Sequence, residues 1–599
     1  MLTPPPEFLT RPDLRGTFGM CATTHWLASS SAQSVLERGG NAFDAAVAGA
    51  FVLHLVEPHL NGPGGDLTAI IATAADPVPQ VLVGQGPAPE GATIEHFRSE
   101  GLDLVPGAGG LAAAVPGAVD AWLLLLRDHG TSELADVWDY AISYAEHGYP
   151  LVPRVAATVE SVRELFTEHW TTSADWWLTD GQSPAPGALR TNRPYAQVLR
   201  GMLAAGSQAA TREQRIEAAR AEWAEGIVAE QAVSFLSTPP RHSSGTDHAA
   251  VLSGQDFAGH RASWEPATTI DFRGHTIAKT GAWGQGPALL QALRILDGFD
   301  DHQLDPQTAL GAHHILEALK LALADRDAYY GDPDAAVGEP PVPLDVLLSV
   351  DYAAQRRRLI TDQASTEMRP GEVSGYHPYR VPLTEAGIQA AGTGEPTLSR
   401  SGETKGDTCH LDVVDRWGNF ISATPSGGWL QSSPHIPQLG FCLGSRLQMC
   451  WLDPASPSRL RPGRRPRTTL TPTLVLRAGV PVTALGSPGG DQQDQWQLVY
   501  LLRTLVGGYS PQQAIDAPTL HSTAVAGSFW PRTWTPAGAV VEDRLGADVI
   551  DDLARRGHQV TRAGDWSLGR LSSVSRNAET GELSAAANPR GNQGYAVGR

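Results

Sequence analysis

The feature that most constrains the fold is an abrupt change of pattern at Thr408. Before it, residues 387–406 are rich in Gly, Thr, Ser and Glu and poor in large apolar side chains, which predicts an exposed, mobile segment. After it, TCHLDVVD alternates, turns at RWGN and resumes as FISAT, which predicts a β-hairpin in a buried sheet. Thr408 therefore stands where an irregular segment meets a rigid strand.

Helical and strand patterns alternate through the N-terminal half of the chain. An apolar run after Asn41 predicts a helix with that residue as its N-cap. TLVL, the turn RAGV and PVTALG predict a second hairpin, and GSPGG leads from it into a further helix. Other helices are predicted at residues 32–38, 287–296 and 313–330.

Composition and charge exclude several classes of protein. The chain has 599 residues, with 45 Lys+Arg against 64 Asp+Glu, a formal net charge of −19. A net negative charge repels phosphate backbones and anionic lipids, so we expect neither nucleic acid nor a membrane as a partner. The apolar run at residues 42–56 contains Asp44 and His54 and is too short to span a bilayer.

The cysteines and the N-terminus predict a cytoplasmic protein. The four cysteines form no CxxC pair and are too sparse for a disulfide framework, so reduced thiols are expected. MLTPPPEFLTRPDLRGTF carries prolines and charges where a secretory signal needs an apolar run. The cysteines are Cys21, Cys409, Cys442 and Cys450.

A threonine at this junction has a possible chemical role. A hydroxyl is a weak nucleophile unless a base takes its proton, and a residue's own α-amino group can be that base after cleavage in front of it. The α-amine has a pKa of about 7.7 to 8.0, close to working pH. Such a threonine must be created by cutting the Asp407–Thr408 bond. The competing interpretation is an ordinary strand-favouring threonine.

Two glycine-rich turns are candidate binding elements. Gly489 and Gly490 stand at a strand-to-helix turn, where two backbone N–H groups could stabilise an oxyanion; an ordinary turn is the alternative. NGPGGD, at residues 61–66, lacks the Lys-Ser/Thr of a phosphate-binding loop, so a tight chain reversal is favoured there.

Seven segments together resemble the γ-glutamyltransferases, which are N-terminal nucleophile (Ntn) hydrolases. Each segment alone is weak evidence for the family, but the occurrence of all seven in the right order along nearly the whole chain makes the resemblance specific. They are GGNAFDAAVAGAFVLHLVEPHLNGPGGD, AVPGAVDAW, AISYAEHGYP, EALKLALADRDAYYGDPD, GDTCHLDVVD, RPRTTLTPTLVL and GSPGG.

The resemblance implies an α/β (α+β) fold, a four-layer αββα sandwich formed jointly by two chains of one precursor. Self-cleavage would give a large chain of residues 1–407 and a small chain of residues 408–599 that begins with the catalytic threonine. The two chains would form a heterodimer, possibly a dimer of these, acting on a small-molecule substrate without a cofactor or metal.

The resemblance also assigns roles to individual residues. Thr408 is implied as the residue of self-cleavage and then as the nucleophile of an acyl-enzyme. Thr424 and Ser426 fall where the family places supporting hydroxyls, although ordinary strand polarity is an alternative. The implied oxyanion pair is Gly489 and Gly490, and the implied substrate-binding pair is Thr468 and Thr469.

The chain departs from the family at the substrate-binding positions. Where relatives that use glutathione carry an Arg that holds the glutamyl carboxylate, GQGPAP places Gln85. The family's Asn falls on Gly428, and in LQMCWLD its acidic ligand is replaced by Trp451, with Gln448 retained. Losing two charged hydrogen bonds of about 1.5 to 3 kcal/mol each makes glutathione a doubtful substrate. The aromatic residues suggest a flatter pocket, lined by Trp451, residues 427–429 and Trp417.

Several functions remain open on the sequence. The first is an acyl hydrolase that cleaves an amide or a keto-activated bond in a non-glutathione substrate. A specific alternative is a C–C bond hydrolase that removes an oxalyl-type unit in 4-alkylproline biosynthesis, as homologues do for lincosamides and pyrrolobenzodiazepines. The others are an ordinary γ-glutamyl transpeptidase or glutathione hydrolase and a catalytically inactive binding homologue.

Structural roles are favoured for one cysteine and three histidines that could otherwise be functional residues. His410 lies on the same strand face as Thr408, but the α-amine already supplies a base, so a structural histidine is favoured. Cys409 points to the opposite face and is expected in the core. His313 and His314 face different sides of a helix, and no ligand is expected one turn away, so no metal site is predicted.

Overall fold

The computed structural model describes residues 2–385 and 408–599. The segment predicted to be exposed, residues 387–406, and the residue before the expected cleavage, Asp407, lie outside the described residues. In the part that is described, no helix is both long enough and apolar enough to cross a membrane.

Most strands of the described chain belong to two seven-stranded sheets. The first sheet has the order β1-β20-β19-β14-β13-β9-β8 and the second has the order β21-β2-β11-β12-β3-β4-β7. The strands are β1 Leu14–Gly16, β2 Gly19–Thr23, β3 Asp66–Ala72, β4 Gln80–Gly84, β5 Tyr149–Pro150, β6 Leu189–Arg190, β7 Ser263–Pro266, β8 Thr268–Phe272, β9 His275–Lys279, β10 Thr384–Glu385, β11 Leu411–Asp415, β12 Phe420–Ser426, β13 Thr473–Arg477, β14 Val480–Gly486, β15 Leu520–Ser522, β16 Thr533–Trp534, β17 Gly538–Val541, β18 Gln559–Arg562, β19 Ser572–Arg576, β20 Leu583–Ala587 and β21 Tyr595–Gly598.

Helices cover the outer faces of both sheets. A π-helical turn, Leu502–Val506, continues α17. The α-helices are α1 Trp26–Glu37, α2 Ala42–Val56, α3 Ile94–Ser99, α4 Ala118–His129, α5 Leu134–His147, α6 Pro153–Ser161, α7 Arg163–Glu168, α8 Thr171–Trp177, α9 Arg193–Ala205, α10 Arg212–Glu225, α11 Ile227–Leu236, α12 Gly254–Gly259, α13 Gly286–Leu296, α14 Ala309–Tyr329, α15 Leu344–Leu347, α16 Val350–Arg357, α17 Gln493–Leu501, α18 Pro511–Asp516 and α19 Ala547–Arg555.

Three apolar cores define four layers. Helices α1, α2, α4 and α5 pack on one face of the second sheet, and α13, α14 and α17 pack on one face of the first. Between the two sheets lies a third core, in which Ile70 and Val414 meet Leu474 and Ala484. This is the αββα sandwich that the resemblance implies, and it buries α2 on all sides.

The local signals read from the sequence are confirmed, with shifted boundaries. Asn41 caps α2 in a capping box with Asp44, and both predicted hairpins form, as β11–β12 and β13–β14. Helix α1 begins at Trp26, earlier than predicted, because the side chain of His25 caps it by accepting from the Leu27 N–H. The helix predicted at residues 313–330 likewise begins earlier, with α14 at Ala309.

The strands on either side of Thr408 in the sequence are interleaved in both sheets. In the second sheet, β11 pairs with β2 on one side and with β12 on the other. In the first sheet, β13 pairs with β9 on one side and with β14 on the other. Residues 1–407 and 408–599 therefore do not form separate folding units, because each of the two seven-stranded sheets takes strands from both segments.

Candidate active site

Polar side chains from adjacent strands form a row at one end of the second sheet. Thr408 pairs with Ser426 in an antiparallel bridge, and Ser426 pairs with Asp66 in the β12–β3 ladder. Gln85, which follows β4, lines the same small cavity as Asp66. Since directly paired residues share a face of a sheet, the structure brings together Thr408, Ser426 and the predicted substrate residue Gln85.

The hydroxyl of Thr408 is buried and held by two partners. Its Oγ1 lies 3.1 Å from Ser426 Oγ and donates to the carbonyl of Gly489 at 3.2 Å. The next residue, Cys409, donates its N–H to the carbonyl of Pro425 at 3.1 Å, which fixes the strand register here. The hydroxyl is therefore oriented by a second hydroxyl and by the glycine turn.

The turn at Gly489 and Gly490 provides two backbone N–H groups beside Thr408. It lies between β14 and α17, and Gly489 has φ of 124°, a conformation that favours glycine. The Gly489 carbonyl also accepts from the side chain of Gln493, and the Gly490 carbonyl accepts from Gln285 at 3.3 Å. Within the described ranges, neither glycine N–H donates to a protein acceptor, so both can serve an oxyanion.

A second polar row lies two residues further along the same strands. His410 Nδ1 is 2.9 Å from Thr424 Oγ1, and His410 Nε2 is 2.9 Å from Asp412 Oδ1. The ring also lies against Gly486, where an added Cβ would be 2.2 Å from the imidazole. Thr424 thus contacts His410, whereas Ser426 is the hydroxyl that contacts Thr408.

Arg446 was not identified from the sequence, although it lies beside Gln85. Its guanidinium makes a bidentate pair with Asp66, at 2.5 and 2.9 Å, and lines a small cavity with Gln85 and Gly427. Burial raises the pKa of Asp66, and Arg446 opposes this shift. Because Asp66 neutralises Arg446, this arginine does not replace the missing family arginine as an anion ligand.

Gln448 and Trp451 lie together in a short segment after β12. The Gln448 amide donates to the Gly107 carbonyl at 3.2 Å and accepts from the Trp530 N–H at 3.2 Å. Trp451 is packed under the guanidinium of Arg532, which lies 4.0 Å from the ring centre. Trp451 and Arg532 are buried and line a cavity of about 380 Å³.

The paired threonines differ in their environments. Thr468 donates its N–H to the Trp283 carbonyl at 3.0 Å, and its hydroxyl accepts from the Leu470 N–H at 3.2 Å. The hydroxyl of Thr469 is buried and has no hydrogen-bond partner in the described chain. Thr469 is therefore the member of the pair whose hydroxyl remains available to a ligand.

The aromatic pocket expected from Trp417 and residues 427–429 is not formed. Trp417 lies in the β11–β12 turn, at the opposite end of the hairpin from Thr408, and is 46% exposed. Trp429 is packed against Met449 and Phe529, and its indole N–H donates to the Leu60 carbonyl at 2.6 Å. The prediction is wrong because the hairpin turn separates Trp417 from the site and Trp429 serves packing.

Gln492 is a polar residue at the site that the sequence did not indicate. It is buried, and neither its amide oxygen nor its amide nitrogen has a partner among residues 2–385 and 408–599. A Cβ at Gly489 would lie 3.2 Å from its Nε2. In DQQDQ, this glutamine cannot be distinguished from its neighbours, because all of them are typical of a helix start.

Cys409 and His313 test two further expectations. Cys409 is buried on the face opposite Thr408, with Sγ 3.0 Å from Glu57 Oε2, as predicted. The expectation that no ligand lies one turn from His313 is wrong, because Glu317 lies there and groups with His313 and His558. The Glu317 carboxylate is already paired with the side chains of Lys320 and Arg369. These two positive charges disfavour the binding of a metal cation at the same carboxylate.

Comparison with known proteins is consistent along the chain. Residues 28–598 match the family model described as gamma-glutamyltranspeptidase. The glutathione hydrolase-like YwrD proenzyme of Bacillus subtilis is 30% identical over 590 residues, covering 97% of this chain and 99% of that protein. The oxamate amidohydrolase proenzyme of Klebsiella pneumoniae is 29% identical, covering 97% and 98%. The solved structure of LmbA2991HD is 52% identical, with a TM-score of 0.93, and covers 99% of this chain and 100% of that one.

Proposed function

The chain belongs to the gamma-glutamyltranspeptidase family of Ntn hydrolase proenzymes, and we propose that it cleaves itself between Asp407 and Thr408. The new N-terminal Thr408 then forms an acyl-enzyme with a small-molecule substrate. Residues 1–407 become the large chain and residues 408–599 the small chain of a heterodimer. The bond hydrolysed is an amide or a keto-activated bond.

One observation carries this proposal. The Thr408 hydroxyl is held between Ser426 Oγ and the Gly489 carbonyl, at 3.1 and 3.2 Å, beside two glycine N–H groups that have no acceptor in the described chain. A nucleophile, a supporting hydroxyl and oxyanion donors are the groups that acyl transfer requires.

Self-cleavage follows from this arrangement. Thr408 Oγ1 attacks the carbonyl carbon of Asp407, and the acyl group moves from the threonine nitrogen to its oxygen. The hydroxyl proton passes to the leaving nitrogen, so this shift frees the α-amino group of Thr408. Water then hydrolyses the resulting ester, which releases the Asp407 carboxylate and restores the Thr408 hydroxyl. Ser426 orients the attacking hydroxyl during this step.

Turnover uses the same atoms. The free α-amine takes the proton from Thr408 Oγ1 as the oxygen attacks the substrate carbonyl, while the developing oxyanion accepts from Gly489 and Gly490. The proton passes to the leaving group, and the acyl-threonine forms. Attack by water on this ester releases the acid and restores the hydroxyl.

The substrate we propose differs from glutathione. Gln85 carries no charge, and the nearby Arg446 is neutralised by Asp66, so this side of the site lacks a free cation for a glutamyl carboxylate. Similarity to a protein named as an oxamate amidohydrolase supports a non-glutamyl acyl group. Removal of an oxalyl-type unit from a 4-alkylproline precursor remains a narrower prediction of the same chemistry.

Intact mass spectrometry of purified protein tests the proposal. Wild type should yield two fragments, the smaller beginning at Thr408, whereas Thr408→Ala should remain one chain of about 63.6 kDa. Thr408→Ser, which keeps a hydroxyl, should still cleave. An active wild-type protein without a fragment that begins at Thr408 would refute this function. Turnover of γ-glutamyl-p-nitroanilide at the rate of a transpeptidase would refute the substrate assignment alone.

A further inference from the structure

Three arginines and two aspartates form a buried charged cluster behind the glycine turn. Arg326, Arg467 and Arg532 are 0%, 2% and 3% exposed. The carboxylates of the cluster are those of Asp327 and Asp491. Among the described residues of this cluster, three positive charges against two negative charges leave one cation in excess. A buried charge without a counter-ion is costly, so the excess calls for an anion.

The aspartates are not shared equally among the arginines. Arg326 pairs with both, at 2.8 Å from Asp327 and 2.5 Å from Asp491. Arg467 is 3.8 Å from Asp327 and donates Nη2 to Ser528 Oγ at 2.8 Å. The Nη1 group of Arg467 is buried and has no partner in residues 2–385 or 408–599. Arg467 therefore has an unused pair of N–H donors.

Arg532 also lacks a carboxylate partner within the described segments. Its Nη2 donates to the carbonyls of Gln448 and Cys450, at 2.7 and 3.0 Å. It has φ of 60°, an uncommon conformation for a non-glycine residue. The guanidinium is stacked on Trp451 and lines the cavity of about 380 Å³. A strained, buried cation on a cavity wall is a feature of ligand sites.

The cluster is connected to the reacting groups. Asp491 follows Gly490 directly in the sequence, and it accepts from the Ser528 N–H at 2.8 Å. Ser528 in turn accepts from Arg467, the residue before Thr468 and Thr469. Burial, followed by repulsion from Arg326, lowers the pKa of Arg467 to about 9, so Arg467 remains mainly charged at neutral pH.

We propose that Arg467 and Arg532 form a carboxylate-binding subsite, with Trp451 as one wall, that holds an anionic group of the substrate near Thr408. The inference rests on the proposed function. The positive charge missing at Gln85 is then supplied by two arginines of the small chain. A single carboxylate matches the excess of one charge, and a guanidinium binds it with two parallel hydrogen bonds.

Equilibrium binding of small carboxylates to the purified protein tests the subsite without turnover. The probes are acetate, oxamate, glutarate and L-prolinate, each compared by calorimetry and thermal unfolding with the carboxamide that replaces its carboxylate. At least one carboxylate should bind and raise the melting temperature, whereas its amide should not. Arg467→Gln and Arg532→Gln should each weaken that binding about ten- to a hundredfold, the effect of losing a charged hydrogen bond.

Arg465→Gln is the matched control. Arg465 lies two residues from Arg467 but is paired with Glu265 and Asp332, so its loss should leave carboxylate binding unchanged. Arg467→Lys, which keeps the charge, tests the subsite if the glutamine variant does not fold, and should retain part of the binding. Intact mass in each sample reports self-cleavage separately.

Three results would overturn the subsite. They are the absence of carboxylate-specific binding for every probe, equal binding of acids and amides, or unchanged binding in both arginine variants. A missing fragment at Thr408 would instead refute the proposed function, because calorimetry does not depend on turnover.

Discussion

The hydroxyl oxygens of Thr408 and Ser426 lie 3.1 Å apart across an antiparallel bridge. Ser426→Ala should slow self-cleavage and acylation about ten- to a hundredfold, because the nucleophile loses one orienting hydrogen bond. Densitometry of the full-length band over time measures the first rate. Ser422→Ala is the control, since Ser422 lies on the same strand face but donates to the Leu485 carbonyl. Equal rates in Ser426→Ala and wild type would contradict the assignment.

Gly489→Ala should impair the oxyanion turn. Gly489 has φ of 124°, and an added Cβ would lie 3.2 Å from Gln492 and 3.3 Å from Trp496. We expect acylation to slow by about a hundredfold or more, as when an oxyanion donor is lost. Gly508→Ala separates this effect from backbone strain, because Gly508 has φ of 67° but open space around it. Equal losses in both variants would argue against an oxyanion role.

His410 should matter for stability more than for chemistry. It bridges Thr424 and Asp412 in the buried polar row, so His410→Ala leaves both partners unsatisfied. The free energy of unfolding should fall by about 2 to 4 kcal/mol in urea titrations. The His410→Ala protein that folds and cleaves itself should be acylated at a rate within about tenfold of the wild-type rate. A residue that only supports the site should cause no larger loss. Inactive but folded, matured protein would instead assign His410 to proton transfer.

Cys409→Ala should keep both self-cleavage and turnover. The Cys409 thiol is buried beside Glu57 on the helix side of the strand, away from the Thr408 hydroxyl. Burial raises the pKa of this thiol, so a thiolate nucleophile is disfavoured. The free energy of unfolding should fall by about 1 kcal/mol in Cys409→Ala and by less in Cys409→Ser. Loss of cleavage in a well-folded Cys409→Ala protein would contradict this prediction.

Buried histidines predict acid sensitivity. Burial lowers the pKa of both His54 and His521 to about 3, from 6.5 in the unfolded chain. The unfolded state therefore binds more protons between these values, so their contribution to stability is complete above pH 6.5 and declines as the pH falls. The expected slope is about 1.4 kcal/mol per pH unit for each histidine.

Urea unfolding at about pH 7.5 and about pH 4.5 measures this slope. His54→Gln and His521→Gln should each reduce the difference in stability between the two conditions. His147→Gln is the control, because His147 is exposed. An unchanged slope in both buried variants would show that other groups cause the acid sensitivity.

The sequence was sufficient where the deciding interactions are local. Alternation over TCHLDVVD and FISAT, with RWGN between them, predicts the β11–β12 hairpin because the pattern and the turn lie within a few residues. Asn41 and Asp44 form a capping box for the same reason. The αββα sandwich and the row containing Ser426 came from the family resemblance and could not be obtained from periodicity.

The charged subsite was not predictable, because its partners are distant in sequence. Arg467 bonds Ser528 and Arg532 stacks on Trp451, and RPGRRPRTTL gives no sign that one of its arginines is buried while others are paired. The predicted role of Trp417 in the pocket is wrong for a related reason. Its place in the hairpin turn fixes it at the end of the strand remote from Thr408, and sequence proximity to the site concealed this separation.

The interleaved strands have a consequence for the mature molecule. With β11 hydrogen-bonded between β2 and β12, a single cut before Thr408 removes one covalent link and leaves the ladder bonds on both sides of β11 intact. The two pieces should then persist together at any dilution and should not be exchanged between molecules unless both sheets come apart. Severed in this way, the enzyme would still melt as one body.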